Sequence, residues 1–345
     1  MVLLYLFKEI YTINNYNIPY YHSILRHDLY YLDLHHLRDG LCYGKSCFKG
    51  ILIAMKEIVY IANSLNRYPL VYNPLITNLK ANGIEVEILD STNIWVRDYM
   101  PIQTKNGFIK FKYKTLAYDE WPQLKIDPES DYWLAVFGKF KNLINTDIIL
   151  DGGNCQMNLR RDVAVITDVV FKNNPEYEKE DLINKLTELL DAKVIIIPKE
   201  YEDELGHADG IVKFIDEHSI LLNDYSGYGT LNYRKKVAKI LKSNALKIID
   251  FPNYYHLMPK MTEKEFRAKY PYGDDFNPAW GYAINFFKVA RLIFAPIFNI
   301  KEDKITISKI KECYPDCRVV TINCSDLSME GGLLNCVTRE YNITL

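Results

Sequence analysis

The stretch Lys193-Val194-Ile195-Ile196-Ile197-Pro198, followed after a short loop by Gly206-His207-Ala208-Asp209-Gly210, decides how the chain folds. Consecutive β-branched residues bounded by a lysine and a proline read as a strand buried on both faces. The loop after it sets an imidazole and a carboxylate two positions apart. Upstream, Glu176 to Leu190 carries apolar residues at helical spacing, and downstream Ile211 to Ile215 and Ser219 to Asn223 form a pair of strands. The unit is a helix, a buried strand, a polar loop and two paired strands.

The unit recurs on both sides. Ile58 to Ala62 reads as a strand, Leu70 to Ala81 as an amphipathic helix entered after Pro69, and Ile84 to Leu89 as a second strand after Asn82-Gly83, leading into Trp95-Val96-Arg97-Asp98. Asp131 to Ile144 is expected to be helical, Asp147 to Leu150 a short strand running into Asp151-Gly152-Gly153-Asn154, and Val163 to Thr167 a further strand. Leu231 to Ser243 is a helix and Leu246 to Phe251 a strand, before a long excursion from Asn253 to Pro278 and a strand pair, Tyr282 to Lys288 with Leu292 to Pro296. Lys301 to Tyr314 and Arg318 to Ile322 then precede Glu330-Gly331-Gly332-Leu333-Leu334-Asn335-Cys336-Val337-Thr338, which is expected to carry Cys336 on a strand. Strand, strand, helix, strand at a period of roughly 50 residues marks a propeller-like array, in which loops at equivalent positions meet near a common axis. A doubly wound sheet would instead alternate single strands with helices.

The composition suits a globular protein with a small ligand. The 345 residues are 48% hydrophobic and 25% charged with a net charge of -2, so neither disorder nor binding to nucleic acid or an anionic membrane is expected. Seven scattered cysteines do not form a disulfide framework and point to a reducing compartment, the cytoplasm. No apolar run is long enough to span a bilayer. Residues 1–50, rich in tyrosine and histidine, show no clear periodicity. His35, His36, Cys42 and Cys47 there fit no zinc spacing, and the segment is set apart from a single catalytic domain over 51–345.

The loops between the units supply a thiol (Cys336), an imidazole (His207) and three carboxylates (Asp98, Asp151, Asp209). A thiol with an imidazole suits nucleophilic catalysis, and the surplus of carboxylates calls for a cationic substrate. Two carboxylates grip a planar guanidinium through paired N–H donors and expose one face of its central carbon, a task assigned to Asp98 and Asp209. The bound cation and a protonated imidazole would favour the Cys336 thiolate, His207 would serve as acid and then base, and Asp151 would orient His207. Each residue also has a plainer reading. Asp98 could pair with Arg97 on the surface, Asp151 could cap the Gly152-Gly153 turn, Asp209-Gly210 could form a hairpin turn, and His207 could be a hydrogen-bonded loop residue. Equivalent placement after successive strands is what favours the functional set.

Trp95-Val96-Arg97-Asp98, Asp151-Gly152-Gly153-Asn154, Gly206-His207-Ala208-Asp209-Gly210 and Gly331-Gly332 through Cys336-Val337-Thr338 resemble, in order, the four motifs of the agmatine deiminase and bacterial-type peptidylarginine deiminase family. The resemblance runs from about Ile58 to the C-terminus. It implies a five-bladed α/β propeller, hydrolysis of a guanidino group to a ureido group with release of ammonia, no cofactor and no metal. It also implies Cys336 as nucleophile, His207 as acid and base, and Asp98 and Asp209 on the guanidinium. Asn285, within Tyr282-Ala283-Ile284-Asn285-Phe286, resembles a further motif beside the active site. Trp95 and Asn154 join it as expected substrate contacts. Three positions depart from the pattern: Asn335 stands where many relatives have histidine, Asp151 stands where glutamate is frequent and reaches one methylene less far toward His207, and residues 1–50 do not resemble the usual family start.

Asp119, Glu120 and Trp121, without an arginine between Leu116 and Gln123, lean toward the ammonium end of agmatine rather than the carboxylate of arginine, with an arginyl peptide as the further alternative. Arg160, Arg161 and Lys125 are the bases that would reverse that lean, and Lys288 and Arg291 are left unassigned. Two competing readings are a zinc-stabilised binding module built on Cys313, Cys317, Cys324 and Cys336, whose second interval does not suit zinc, and a silent relative that binds guanidino compounds without turnover. Oligomeric state is not encoded in any of these motifs.

Overall fold

A computed structural model describes residues 55–113, 125–201, 203, 205–226, 231–270 and 278–344. The segment 1–50, including His35, His36, Cys42 and Cys47, lies outside the described residues, as do Asp119, Glu120 and Trp121.

The described strands form five three-stranded sheets, each with the same connectivity. In the unit around His207, β9 (Val212–Phe214) pairs antiparallel with β10 (Ser219–Asn223), and β10 pairs parallel with β11 (Lys247–Phe251). A parallel neighbour requires a crossover, and the helix Leu231–Ser243 supplies it. The other units repeat this plan: β3 (Ile102–Gln103), β4 (Phe108–Lys112) and β5 (Leu143–Ile149); β6 (Cys155–Met157), β7 (Val163–Thr167) and β8 (Lys193–Ile197); β12 (Phe287–Val289), β13 (Leu292–Ile297) and β14 (Arg318–Asn323). In the remaining sheet β1 (Met55–Ala62) pairs parallel with β2 (Glu85–Leu89) and antiparallel with β15 (Arg339–Thr344), so the last strand completes the first blade. The fold is a five-bladed α/β propeller.

The crossover helices form for local reasons and bury one face each. In α1 (Pro69–Ala81), Pro69 occupies the first turn, where its missing N–H costs nothing, and Val71, Leu75 and Leu79 line the buried face at a spacing of four. The helix ends in a Schellman motif: Gly83, at φ +71°, donates to Lys80 O and Ile84 donates to Leu79 O, both at 3.1 Å. Leu182, Leu186 and Leu190 play the same part in α2 (Lys179–Leu190), packing with Ile148, Ala164 and Ile166.

Three expected elements differ. The helix from Asp131 stops at Phe137, capped at Gly138, and Leu143–Ile149 joins β4 as a strand longer than anticipated. Of Tyr282 to Lys288 only the end enters β12; before it, N–H groups of Ala283 and Asn285 bond back to Gly281 O and Tyr282 O, a turn that Gly281 opens at φ +82°. Cys336 is not on a strand. Leu327–Glu330 is a short 3-10 turn, Gly331 takes φ +92°, and Val337 N–H bonds to Leu333 O, so the thiol sits in a tight turn. Among the described residues, no helix is long and apolar enough to cross a membrane.

Candidate active site

The loop after the third strand of each blade leads to the next blade, and these inter-blade loops carry the chemistry. Asp98 follows β2 on the short helix Val96–Tyr99, Asp151 follows β5, His207 and Asp209 follow β8, Asn285 follows β11, and Cys336 follows β14. Five separate stretches of sequence are thereby brought to one place.

Gly153 marks its centre. A Cβ on Gly153 would lie 2.8 Å from Asp98 Oδ1, 2.8 Å from His207 Nδ1 and 3.3 Å from Asp209 Oδ2, so only a glycine lets these three groups close on one point. Its N–H donates to Asp98 Oδ1 at 2.9 Å. His207 Nε2 meets Asp151 Oδ2 at 3.1 Å and its Nδ1 lies 3.7 Å from Asp98 Oδ1. The shorter Asp151 therefore still reaches the imidazole. The other oxygen of Asp151, Oδ1, is buried and has no hydrogen-bond partner among the described residues.

Cys336 Sγ lies 3.6 Å from Asp209 Oδ2, and 3.3 Å from Nδ2 and 3.5 Å from Oδ1 of Asn285. Asn285 Oδ1 also accepts the Asn335 N–H at 3.1 Å, so this side chain braces the turn as well as touching the thiol. Arg97 N–H donates to Cys336 O at 3.0 Å, tying the thiol's turn to the loop of Asp98. Arg97 itself is buried and pairs with Glu340 at 2.6 Å rather than with Asp98, which removes the surface-pair reading of Asp98.

A pocket opens over this cluster, lined by Trp95, Asp98, Tyr113, Asp151, Leu205, His207, Glu330, Gly331 and Cys336. Trp95 forms one wall, with Gly332 so close to its ring that a side chain there would collide with it. Asp209 and Asn285 lie beneath the thiol, each less than 5% exposed. Asn154 does not join the lining. Its Oδ1 accepts Thr167 N–H at 2.9 Å at the end of β7, so the residue holds the frame of the loop instead of a ligand. Arg161 binds Gln103 at 2.9 Å, Arg160 faces Glu217 at 3.5 Å, Lys288 bonds to Ala290 O at 3.2 Å, and neither they nor Lys125 and Arg291 line the pocket.

Burial dominates the electrostatics. It pushes Asp98 up to about 7, reinforced by Asp151 and Asp209 and opposed by His207. Burial works against a charge on His207, but Asp98, Asp151 and Asp209 together outweigh it and raise the imidazole to about 10. The Cys336 thiol is held well above its ordinary range by burial, then by Asp209 and Asp98. Desolvation and two carboxylates thus oppose the Cys336 thiolate in the free site.

Glu330, Tyr113 and Leu205 received no role from the sequence. Glu330 was visible as the first residue of the cysteine motif, but only the turn at Gly331 brings it into the lining. The four cysteines of the zinc reading are not gathered: among the described residues no three His, Cys, Asp or Glu side chains form a group able to hold a metal, and Cys336 belongs to the pocket.

A profile of the Porphyromonas-type peptidyl-arginine deiminase family matches residues 51–341. A protein of Mycoplasma mycoides named as a candidate agmatine deiminase is 23% identical over 327 residues, covering 86% of this chain and 89% of that protein. Among solved structures, a cysteine-to-serine variant of the C. jejuni agmatine deiminase with substrate bound superposes with a TM-score of 0.63 at 15% identity, covering 88% of this chain and 100% of that one. The agmatine deiminase of Enterococcus faecalis gives 0.62 at 15% identity, over 85% of this chain and 95% of that one. The chain belongs to the Porphyromonas-type peptidyl-arginine deiminase family and is a hydrolase acting on the carbon–nitrogen bonds of amidines.

Proposed function

We propose that the protein hydrolyses the guanidino group of a small amine-ended substrate, agmatine fitting best, to a ureido group and ammonia through a covalent intermediate on Cys336. The observation that carries the substrate class is the charge of the lining: among the described residues it holds three carboxylates (Asp98, Asp151, Glu330), one imidazole, and neither lysine nor arginine. Such a pocket complements a dication with a guanidinium at one end and an ammonium at the other. The carboxylate of free arginine would meet Glu330 and be repelled. Trp95 offers an aromatic face to the alkyl chain or the distal cation.

In this reading Asp98 and Asp209 accept the guanidinium N–H donors, their oxygens lying within 3.3 Å of the single point above Gly153. The incoming positive charge offsets the carboxylates that hold the thiol protonated, so binding favours the thiolate. Sγ then attacks the central carbon, His207 protonates the departing amino group, and ammonia leaves. His207, now neutral, takes a proton from water, whose oxygen adds to the carbon. The C–S bond breaks, returning the thiol and releasing the ureido product. Asp151 holds the imidazole throughout by its 3.1 Å contact.

The test is to offer agmatine, arginine and arginyl peptides separately and measure ammonia and ureido product. Agmatine is expected to be turned over first, and Cys336→Ala to abolish turnover. An active Cys336→Ala protein would overturn the mechanism, and binding without turnover of all three would favour the silent relative.

A further inference from the structure

Asn335, the residue before the thiol, carries a side chain that lies between two charged groups. Its Nδ2 donates to Asp209 Oδ2 at 2.8 Å, and its Oδ1 accepts from Lys213 Nζ at 3.1 Å. A primary amide is nearly symmetric in shape and opposite in polarity at its two ends, so the end facing Asp209 is decided by what the other end meets. An ammonium only donates. It therefore holds the oxygen, and the NH₂ group is left to face the carboxylate. Reversed, the amide would set its oxygen against Asp209 and a donor against Lys213, two repulsions in a buried site.

The backbone of Asn335 is held as firmly. Its N–H donates to Asn285 Oδ1 at 3.1 Å and its carbonyl accepts from Arg97 Nε at 3.0 Å. Lys213 comes from the middle of β9, between Val212 and Phe214, with its ammonium 4.8 Å from the centre of the Phe286 ring. Among the described residues no carboxylate lies within ion-pair distance of it, so its hydrogen bond is to the amide of Asn335. The charged and titratable groups around it are Arg97 on the Val96–Tyr99 helix, Asp209, Glu340 on β15, and Cys336. Burial, and then Arg97, lowers Lys213 to about 8.

We propose that Lys213 is a positioning residue which, by fixing the orientation of the Asn335 amide, holds the Asp209 carboxylate in the arrangement that receives the guanidinium. The inference rests on the deiminase reading for its ligand. It also gives Asn335 a defined role: the amide needs a second, donor-only partner to be read in one direction, and Lys213 is that partner.

The test compares the full chain with Lys213→Met, Lys213→Arg, Asn335→Ala and the double variant Lys213→Met/Asn335→Ala. Agmatine turnover is followed from pH 6 to 10, and agmatine binding is measured by calorimetry in a Cys336→Ala background. Lys213→Met is expected to lose about tenfold or more in kcat/KM and to weaken agmatine binding, as displaced binding groups do. Lys213→Arg, still a donor-only cation, recovers most of the loss. The double variant is no worse than Asn335→Ala alone, because both substitutions break one chain of contacts. The wild type should also show a fall in kcat/KM near pH 8 that moves upward in Lys213→Arg, a shift that a merely structural lysine would not produce. Lys213→Met within twofold of wild type, or losses that multiply in the double variant, overturns the proposal. Should Lys213→Met not fold, Asn335→Ala alone decides, with full agmatine affinity counting against the relay. If the wild type turns over no guanidino compound, the deiminase reading fails and the binding arm judges the relay by itself. Agmatine bound by none of the proteins sinks both.

Discussion

Substituting Gly153 by alanine adds one methyl group at the point where the site converges. The new Cβ would be 2.8 Å from both Asp98 Oδ1 and His207 Nδ1, about 0.6 Å inside the 3.4 Å at which ordinary contact begins. Gly153 has no positive φ, so alanine meets no backbone strain and the effect is steric. The surrounding groups can retreat only by leaving their partners, since Asp98 is bonded to the Gly153 N–H and His207 to Asp151. A misplacement of about 1 Å costs on the order of a hundredfold in rate, so this smaller shift should lower kcat/KM by about 10- to 100-fold, or about 1.4–2.7 kcal/mol of transition-state stabilisation. Steady-state ammonia release with agmatine measures the loss, and urea unfolding run alongside establishes that the variant is folded. Gly210→Ala is the control: it follows Asp209 directly, but among the described residues no atom lies within 4 Å of its added Cβ, and it should behave as wild type. Full activity in Gly153→Ala, or equal losses in both variants, would refute the steric argument.

Further outcomes are expected. Glu330→Gln should weaken kcat/KM for agmatine by roughly tenfold while narrowing its advantage over arginine, since it removes the charge that opposes a carboxylate; competition assays with the two substrates read this, and an unchanged ratio counts against Glu330 as the discriminating group. Because Asp98 must be ionised and His207 protonated, these two groups should set an acid limb in kcat/KM at about 7 and an alkaline limb at about 10, with the Lys213 step near 8 lying between them. Asp151 raises both groups, so Asp151→Asn should move both limbs to lower pH, and limbs that stay in place would contradict the assignment. The raised imidazole also contributes stability that is complete below its ordinary value of 6.5 and is lost as pH rises through about 10, which thermal unfolding across that window should follow. Arg97→Met breaks a pair buried on the arginine side and a bond to Asn335 O, and should cost about 2–3 kcal/mol in urea unfolding, below the full range for a buried pair because Glu340 is partly exposed.

Much of the fold was legible because its signals are local. The β-branched run at Val194–Ile197, the four-residue spacing of Val71, Leu75 and Leu79, and the Asn82-Gly83 stop are decided within a few turns of chain, and the strand Lys193–Ile197 and the helix Pro69–Ala81 lie where these signals put them. Local preference gives way where a tertiary contact overrides it. Leu143–Ile149 has the apolar content to extend the helix before it, yet pairing with β4 makes it a strand. Tyr282–Phe286 has strand composition, yet Gly281 packs against the backbone of Tyr254 and Tyr255 and turns the chain there.

The sequence by itself determined the repeated unit and singled out the thiol, imidazole and three carboxylates, because spacing after successive strands survives any detail of packing, and the likeness of its four motifs pointed to the family. Only the tertiary structure decided which groups meet. It joined Asp151 to His207, set Asp209 beneath Cys336, gave Asn154 to the frame, brought Glu330 into the lining, and linked Lys213 to Asp209 through Asn335. The physical reason is that these pairs stand far apart along the chain, as Lys213 does from Asn335. Contacts of that kind depend on how five blades close on one another and leave no local pattern from which to read them.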